Sequence, residues 1–168
     1  MRLTSLNDLF IHQMRDLYNA EQQAIKAMPE MMERVSNPNL ATAMQEHMME
    51  TQNQVKRLEQ CFQILGVNGH GEKCMAMEGI IKEAKDFMRH EADPEVMDAG
   101  IIACAQRLEH YEIAGYGTAC TYAKFLGHKD VLNLLQEILS EEKKADEKLT
   151  FIAETSVNME AENHRIKR

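Results

Sequence analysis

Residues 106–117 read Gln106-Arg-Leu-Glu-His-Tyr-Glu-Ile-Ala-Gly-Tyr-Gly117, and the reading of this stretch decides the fold. Leu108, Ile113 and the small residues Ala114, Gly115 and Gly117 mark a helix that packs closely. Helical positions three or four apart share a face, so Ala105, Glu109, Glu112, Tyr116 and Cys120 line one stripe. Two carboxylates therefore fall where the helix asks to be buried. A carboxylate away from water needs a partner, and two side by side need a cation or a shared proton. The stripe is either a frayed core or a metal site.

The rest of the chain supplies the context. At 168 residues it has the size of one domain, expected over 1–160, with 161–168 as a short polar tail. Strand formers are sparse (5 Phe, 4 Tyr, no Trp), and helix formers dominate, so the fold class is all-α. A net charge of −8 argues against a nucleic-acid surface, which needs a basic stripe. No apolar run approaches the ~18–20 residues of a membrane span. Met1-Arg-Leu-Thr-Ser-Leu-Asn-Asp8 lacks the apolar stretch of a secretion signal and reads as a helix start. Cys61, Cys74, Cys104 and Cys120 show no CxxC spacing, which fits reduced thiols and a cytoplasmic location. The thirteen methionines read as adaptable core filler rather than as a metal-binding set.

Working outward from the quoted stretch, four long helices are expected at about 5–35, 38–65, 94–126 and 129–157, with a shorter one near 75–90. Ser5 and Asp8 are spaced as a capping box, and Pro29 should kink the first helix. Asn37-Pro38 and Asp93-Pro94 start the second and third; Gly66 and Gly127 end them. Each long helix has an apolar stripe broken midway by acid. The first runs Phe10, Met14, Leu17, Glu21, Ala24, Met28, and the second Leu40, Met44, His47, Glu50/Thr51, Gln54, Leu58, Cys61. The fourth runs Leu135, Ile138/Leu139, Glu142, Asp146, Leu149, Ala153. Short turns make the first and second, and the third and fourth, antiparallel pairs. The long second connection is what a bundle with one crossover requires.

Heights follow from the turns. Glu21, Glu50, Glu112 and Glu142 each lie about 14 or 15 residues from the nearest helix–helix turn, so at ~1.5 Å per residue they share mid-height to within roughly 2 Å. His47, Glu109 and Asp146 fall one turn above them. One carboxylate on a helix is commonly a solvated group. Four at one height, each interrupting an apolar stripe, would repel and resist burial without a cation. Oxygen-rich ligation with one imidazole and no thiolate favours iron or manganese, and this many carboxylates overcharge a single ion, so two are expected. The metal set read from sequence is thus Glu21, Glu50, Glu112 and Glu142, with His47, Glu109 and Asp146 at the edge. His110 is about 160° round the helix from Glu112 and reads as a packed or surface residue. Tyr116, one turn below Glu112, is placed to hydrogen-bond a ligand carboxylate. His12, His70, His90, His128 and His164 lie at ends or loops and read as surface.

Several segments carry a family resemblance. They are Asp16-Leu-Tyr-Asn-Ala-Glu-Gln22, His47-Met-Met-Glu-Thr51, Lys73-Cys-Met-Ala-Met-Glu-Gly79, Glu109-His-Tyr-Glu-Ile-Ala-Gly-Tyr-Gly-Thr118 and Glu141-Glu-Lys143. Together they resemble the YciE/YciF family of bacterial ferritin-like stress proteins, closest to its YciF branch, from about residue 3 to 160. The resemblance implies a ferritin-like four-helix domain, a homodimer and a di-metal centre. One departure is visible: di-iron ferritin-like helices commonly carry Glu-x-x-His, whereas here Asn53 follows Glu50 and Ala145 follows Glu142 at that spacing.

Two functional readings follow. One is a di-iron or di-manganese protein that oxidises iron(II) or consumes peroxide or oxygen. The other is a non-enzymatic dimeric stress protein whose metal is structural or absent. A storage cage would need a spherical assembly that nothing in the sequence specifies. Surplus methionines Met31, Met32, Met44, Met48 and Met49 are expected to line a homodimer interface.

Overall fold

Local capping chemistry marks several of the helix ends. The computed structural model describes the backbone of residues 3–166 and the side chains of 3–163. Helix α1 spans Leu6–Met32. Ser5 Oγ accepts from the Asp8 amide at 3.1 Å and Asp8 Oδ2 accepts from the Ser5 amide at 3.0 Å, the reciprocal box expected there. Pro29 sits inside α1, and the helix closes at Met32, short of Val35; the Arg34 and Val35 amides turn back onto Met31 and Met32 carbonyls. Helix α2, Pro38–Leu65, is capped by Asn37, whose side chain accepts from the Asn39 and Leu40 amides. It ends at Gly66 in the left-handed region (φ +66°), a conformation that favours glycine. Helix α3 covers Met75–Met88, α4 Pro94–Leu126 and α5 Lys129–Ile152. A π-helical turn at Ala153–Val157 then leads into α6, Asn158–Ile166. The backbone of the expected polar tail is therefore helical to Ile166; Lys167, Arg168 and the His164 side chain lie outside the described residues.

The four long helices form a ferritin-like bundle, with the Gly66–Asp93 connection crossing over and carrying α3. Helix α1 packs beside α2 and α4, and α5 packs beside the same two. Across the core, α1 thus faces α5 and α2 faces α4. Helix α3 lies outside, against α1 and α4. At Gly115 an added Cβ would sit 2.6 Å from Leu17 Cδ2, so this glycine permits the close approach of α4 to α1. Gly117 has open space instead, and Ala114 is exposed, so only part of the small-residue run serves packing. Gly100 faces the Phe87 ring of α3 even more tightly.

The core has an apolar end toward the α1–α2 turn (Met31, Leu40, Met44, Ile101, Leu149) and another toward the α4–α5 turn (Phe10, Leu17, Leu58, Leu135, Ile138). Met31 and Met44, expected at a dimer face, are spent in this chain's own core, and Met48 packs partly against the α1–α3 cluster; Met49 stays exposed. The α1–α2 turn is fastened by buried Asp98, which accepts from the Ser36 amide at 2.8 Å, the Ser36 hydroxyl and the Asn37 amide at 2.9 Å. Asn37 Nδ2 donates in turn to Ser156 Oγ at 2.9 Å, tying the π-helical turn to the same corner. Among the described residues no helix is long and apolar enough to cross a membrane.

Candidate metal centre

Between the two apolar ends lies a layer of buried polar side chains: Glu21 from α1, Thr51 and Gln54 from α2, Glu109 and Glu112 from α4, and Glu142 from α5. Each comes from a helix whose other inward positions are mostly apolar, so packing carries these groups inside. Tyr116 donates its hydroxyl to Glu21 Oε1 through a short hydrogen bond, as its place in the stripe suggested. Glu112 lies close enough to Glu21 for the two carboxyls to influence each other. Across the bundle, His47 Nε2 stands 3.1 Å from Glu109 Oε1. One donor atom each from His47, Glu109 and Glu142 lie within 4.8 Å of one another.

The sequence placed Glu50 in this layer, but the structure turns it to the rim. Its side chain is about half exposed, with Oε2 3.8 Å from His47 Nδ1. Thr51 takes the inward position and donates to the His47 carbonyl at 3.0 Å, while Gln54 donates to Glu141. Positions 47, 51, 54, 58 and positions 47, 50, 54, 58 both fit a helical period, so spacing alone does not separate Thr51 from Glu50. Asp146 is also outside the cluster: it accepts from Gln106 Nε2 at 3.0 Å and faces His110 Nε2 at 3.4 Å. His110 is mostly exposed, as its helical angle required. His12 lies within α1, in its second turn, beside Glu72, while His70, His90 and His128 sit at element ends or loops beside Tyr18, the Phe87 carbonyl and Phe10 respectively.

Electrostatics set the protonation of the layer. Burial pushes Glu21 up to about 7, partly opposed by the Tyr116 hydrogen bond and by His47. Burial also raises Glu112 and Glu142 well above the usual carboxylate range, and the charge of Glu21 pushes both further. Burial works against the His47 charge, yet Glu109, Glu50 and Glu142 together outweigh it and hold the imidazole above its ordinary value. The cation-free layer thus favours the protonated forms of Glu112, Glu142 and His47 more than water does.

Even so, the layer is not satisfied. Glu21 Oε2, Glu109 Oε2, Glu112 Oε1, both oxygens of Glu142 and His47 Nδ1 are buried without a hydrogen-bond partner. Each unmet buried polar atom costs about 1–3 kcal/mol. Glu142 is close enough to Glu109 for their charges to oppose, but it makes no geometrically sound hydrogen bond to it. Unpartnered carboxylate oxygens converging with an imidazole fit a divalent cation.

Comparison with known proteins agrees with the fold. Residues 5–162 match the domain of unknown function DUF892. The chain belongs to the DUF892 family. Among its relatives, Protein YciF of Escherichia coli (strain K12) is 42% identical over 164 residues, covering 97% of this chain and 99% of that protein. The crystal structure of the Escherichia coli stress protein YciF superposes with a TM-score of 0.89 at 41% identity, over 93% of this chain and 99% of that one. YcfI from Rhodopseudomonas palustris does so with a TM-score of 0.86 at 46% identity, over 88% and 94%. A protein from Xanthomonas campestris pv. campestris, 23% identical with a TM-score of 0.76 over 96% and 99%, shares the fold. Three of the segments that carry the resemblance to the YciE/YciF family meet in the structure: Cys74 Sγ and the Tyr111 hydroxyl lie 3.0 Å apart, and Tyr111 donates to Asp16.

Proposed function

We propose that the buried layer is a carboxylate-rich centre for two iron or manganese ions, held by Glu21, Glu109, Glu112, Glu142 and His47, and that the protein oxidises iron(II) or consumes peroxide or oxygen during stress. The observation that carries this reading is the set of buried carboxylate oxygens left without hydrogen-bond partners in the core. Four carboxylates balance the charge of two divalent ions, and the hard oxygen donors with one imidazole suit these metals. Bound there, the ions would supply exchangeable positions for an oxygen species. The chain's own contribution is to release the Glu112 and Glu142 protons on loading, to present His47 as a neutral imidazole, and to fix Glu21 through the Tyr116 hydroxyl. Glu50 and Asp146 stay outside the ligand set in this reading. Four unpaired thiols support a reducing, cytoplasmic setting.

The second reading is a non-enzymatic dimeric stress protein whose metal is structural or absent; Phe125 is 83% exposed and Phe151 66%, apolar surface that a partner copy can cover. A homodimer covering part of this surface is proposed under both readings, and light scattering at micromolar concentration tests it; a monomer would refute it. The readings separate in one assay. Iron(II) oxidation should be stimulated by the wild-type protein and lost in Glu142→Gln, whereas a purely structural role leaves the two indistinguishable.

A further inference from the structure

A cavity of about 90 Å³ lies between the carboxylate layer and the α1–α2 end of the bundle. Met28 and Met31 of α1, Met44 of α2, Ala105 and Leu108 of α4 and Leu149 of α5 form its walls. Its inner end is His47, Glu109 and Glu112; its outer end is ringed by Glu46, Glu50, Lys144 and Lys148. All four long helices contribute an alanine to it, at 24, 43, 105 and 145, where larger side chains would close the space. Flexible methionine walls adapt to varied shapes.

We infer that this cavity binds small, uncharged, apolar molecules and brings them to the His47–Glu109 edge of the layer. The wall excludes ions, because an ion entering would lose its hydration against thioethers and methyls. At the mouth the Lys148–Glu46 ion pair leaves opposite charges side by side, so little net field draws in either sign. Size completes the class. A dry engineered cavity of ~150 Å³ takes benzene or xenon, so this one suits about three or four heavy atoms or one xenon. The binding inference stands on the cavity alone and needs no metal; only its use in delivering a substrate rests on the proposed function.

Xenon is the probe. The full chain, labelled at methionine methyls, is titrated with xenon pressure and followed by NMR. The Met28, Met31 and Met44 methyls should shift in a saturable way, while Met14, buried in the opposite end of the core, stays put. Ala105→Leu fills the deep wall and Ala145→Leu narrows the half-buried rim; the shifts should vanish in the first and weaken in the second. An unchanged Met14 signal reports that each variant is folded, and if Ala105→Leu fails that check the rim variant decides. The inference is overturned if the wild type shows no saturable shift, if Met14 responds equally, or if the folded variants respond as the wild type does.

Discussion

Glu112 illustrates how a single buried group can make the fold depend on its surroundings. Burial, then the neighbouring Glu21 and Glu142, hold its carboxyl above the ordinary range. A carboxyl whose folded value exceeds its unfolded value of about 4.3 contributes stability below that pH and loses it as pH rises through the folded value. Gln at this position cannot ionise and keeps nearly the same shape. In the metal-free state, Glu112→Gln should therefore melt higher than wild type at pH 8, with a gap that narrows toward pH 5, as calorimetry can measure. A lower melting point at pH 8 would mean that the ionised group is a structural acceptor. Glu21, Glu112 and Glu142 were legible in the sequence because each interrupts an apolar stripe. Glu50 was misjudged because it and Thr51 are neighbours only ~100° apart on the helix. Glu50 lies at the rim with Oε2 3.8 Å from His47 Nδ1 of its own helix, and the tertiary part is the attraction of Lys148 and Lys144 on α5.

At the scale of elements, helix α4 carries the fold's main constraints. Asp98 in its second turn holds the α1–α2 turn by three hydrogen bonds, so Asp98→Ala should cost about 2–5 kcal/mol in urea unfolding, since two backbone amides lose a buried acceptor. Two glycines in the same helix predict opposite signs. An added Cβ at Gly100 would fall 1.9 Å from Phe87 Cζ, so Gly100→Ala should destabilise by about 1–3 kcal/mol through displacement of α3. At Gly117 nothing lies within 4 Å, so Gly117→Ala should stabilise by up to about 1 kcal/mol through helix propensity alone. Equal effects at the two sites would contradict the packing described. Helix limits were readable because caps are local: Ser5 with Asp8, Asn37-Pro38, Gly66 and Gly127 act within a turn of their own position. Asp98 was not readable, as its partners lie more than 60 residues away in sequence. The π-helical turn was equally hidden, being joined to Asn37 through Ser156.

For the molecule as a whole, the polar layer ties stability, pH and metal together. Glu21 at about 7, Glu112 and Glu142 higher than usual, and His47 also raised all shift in one direction. Each favours the folded state while protonated and loses that preference as pH rises, so the metal-free protein should lose melting temperature steadily from about pH 5 through pH 7 and beyond. Bound metal should reverse this trend in the same window, because ligands must shed protons to bind it; a flat profile for the metal-free protein would argue that the layer is open to water. The most direct test is elemental analysis of the protein purified without chelator, alongside Glu142→Gln, Glu109→Gln and His110→Ala. The wild type and His110→Ala should carry close to two equivalents of iron or manganese per chain, and the two glutamine variants should carry little. A wild type free of transition metal after reconstitution, or a Glu142→Gln protein loaded as fully as wild type, would contradict the assignment of this layer as a metal centre.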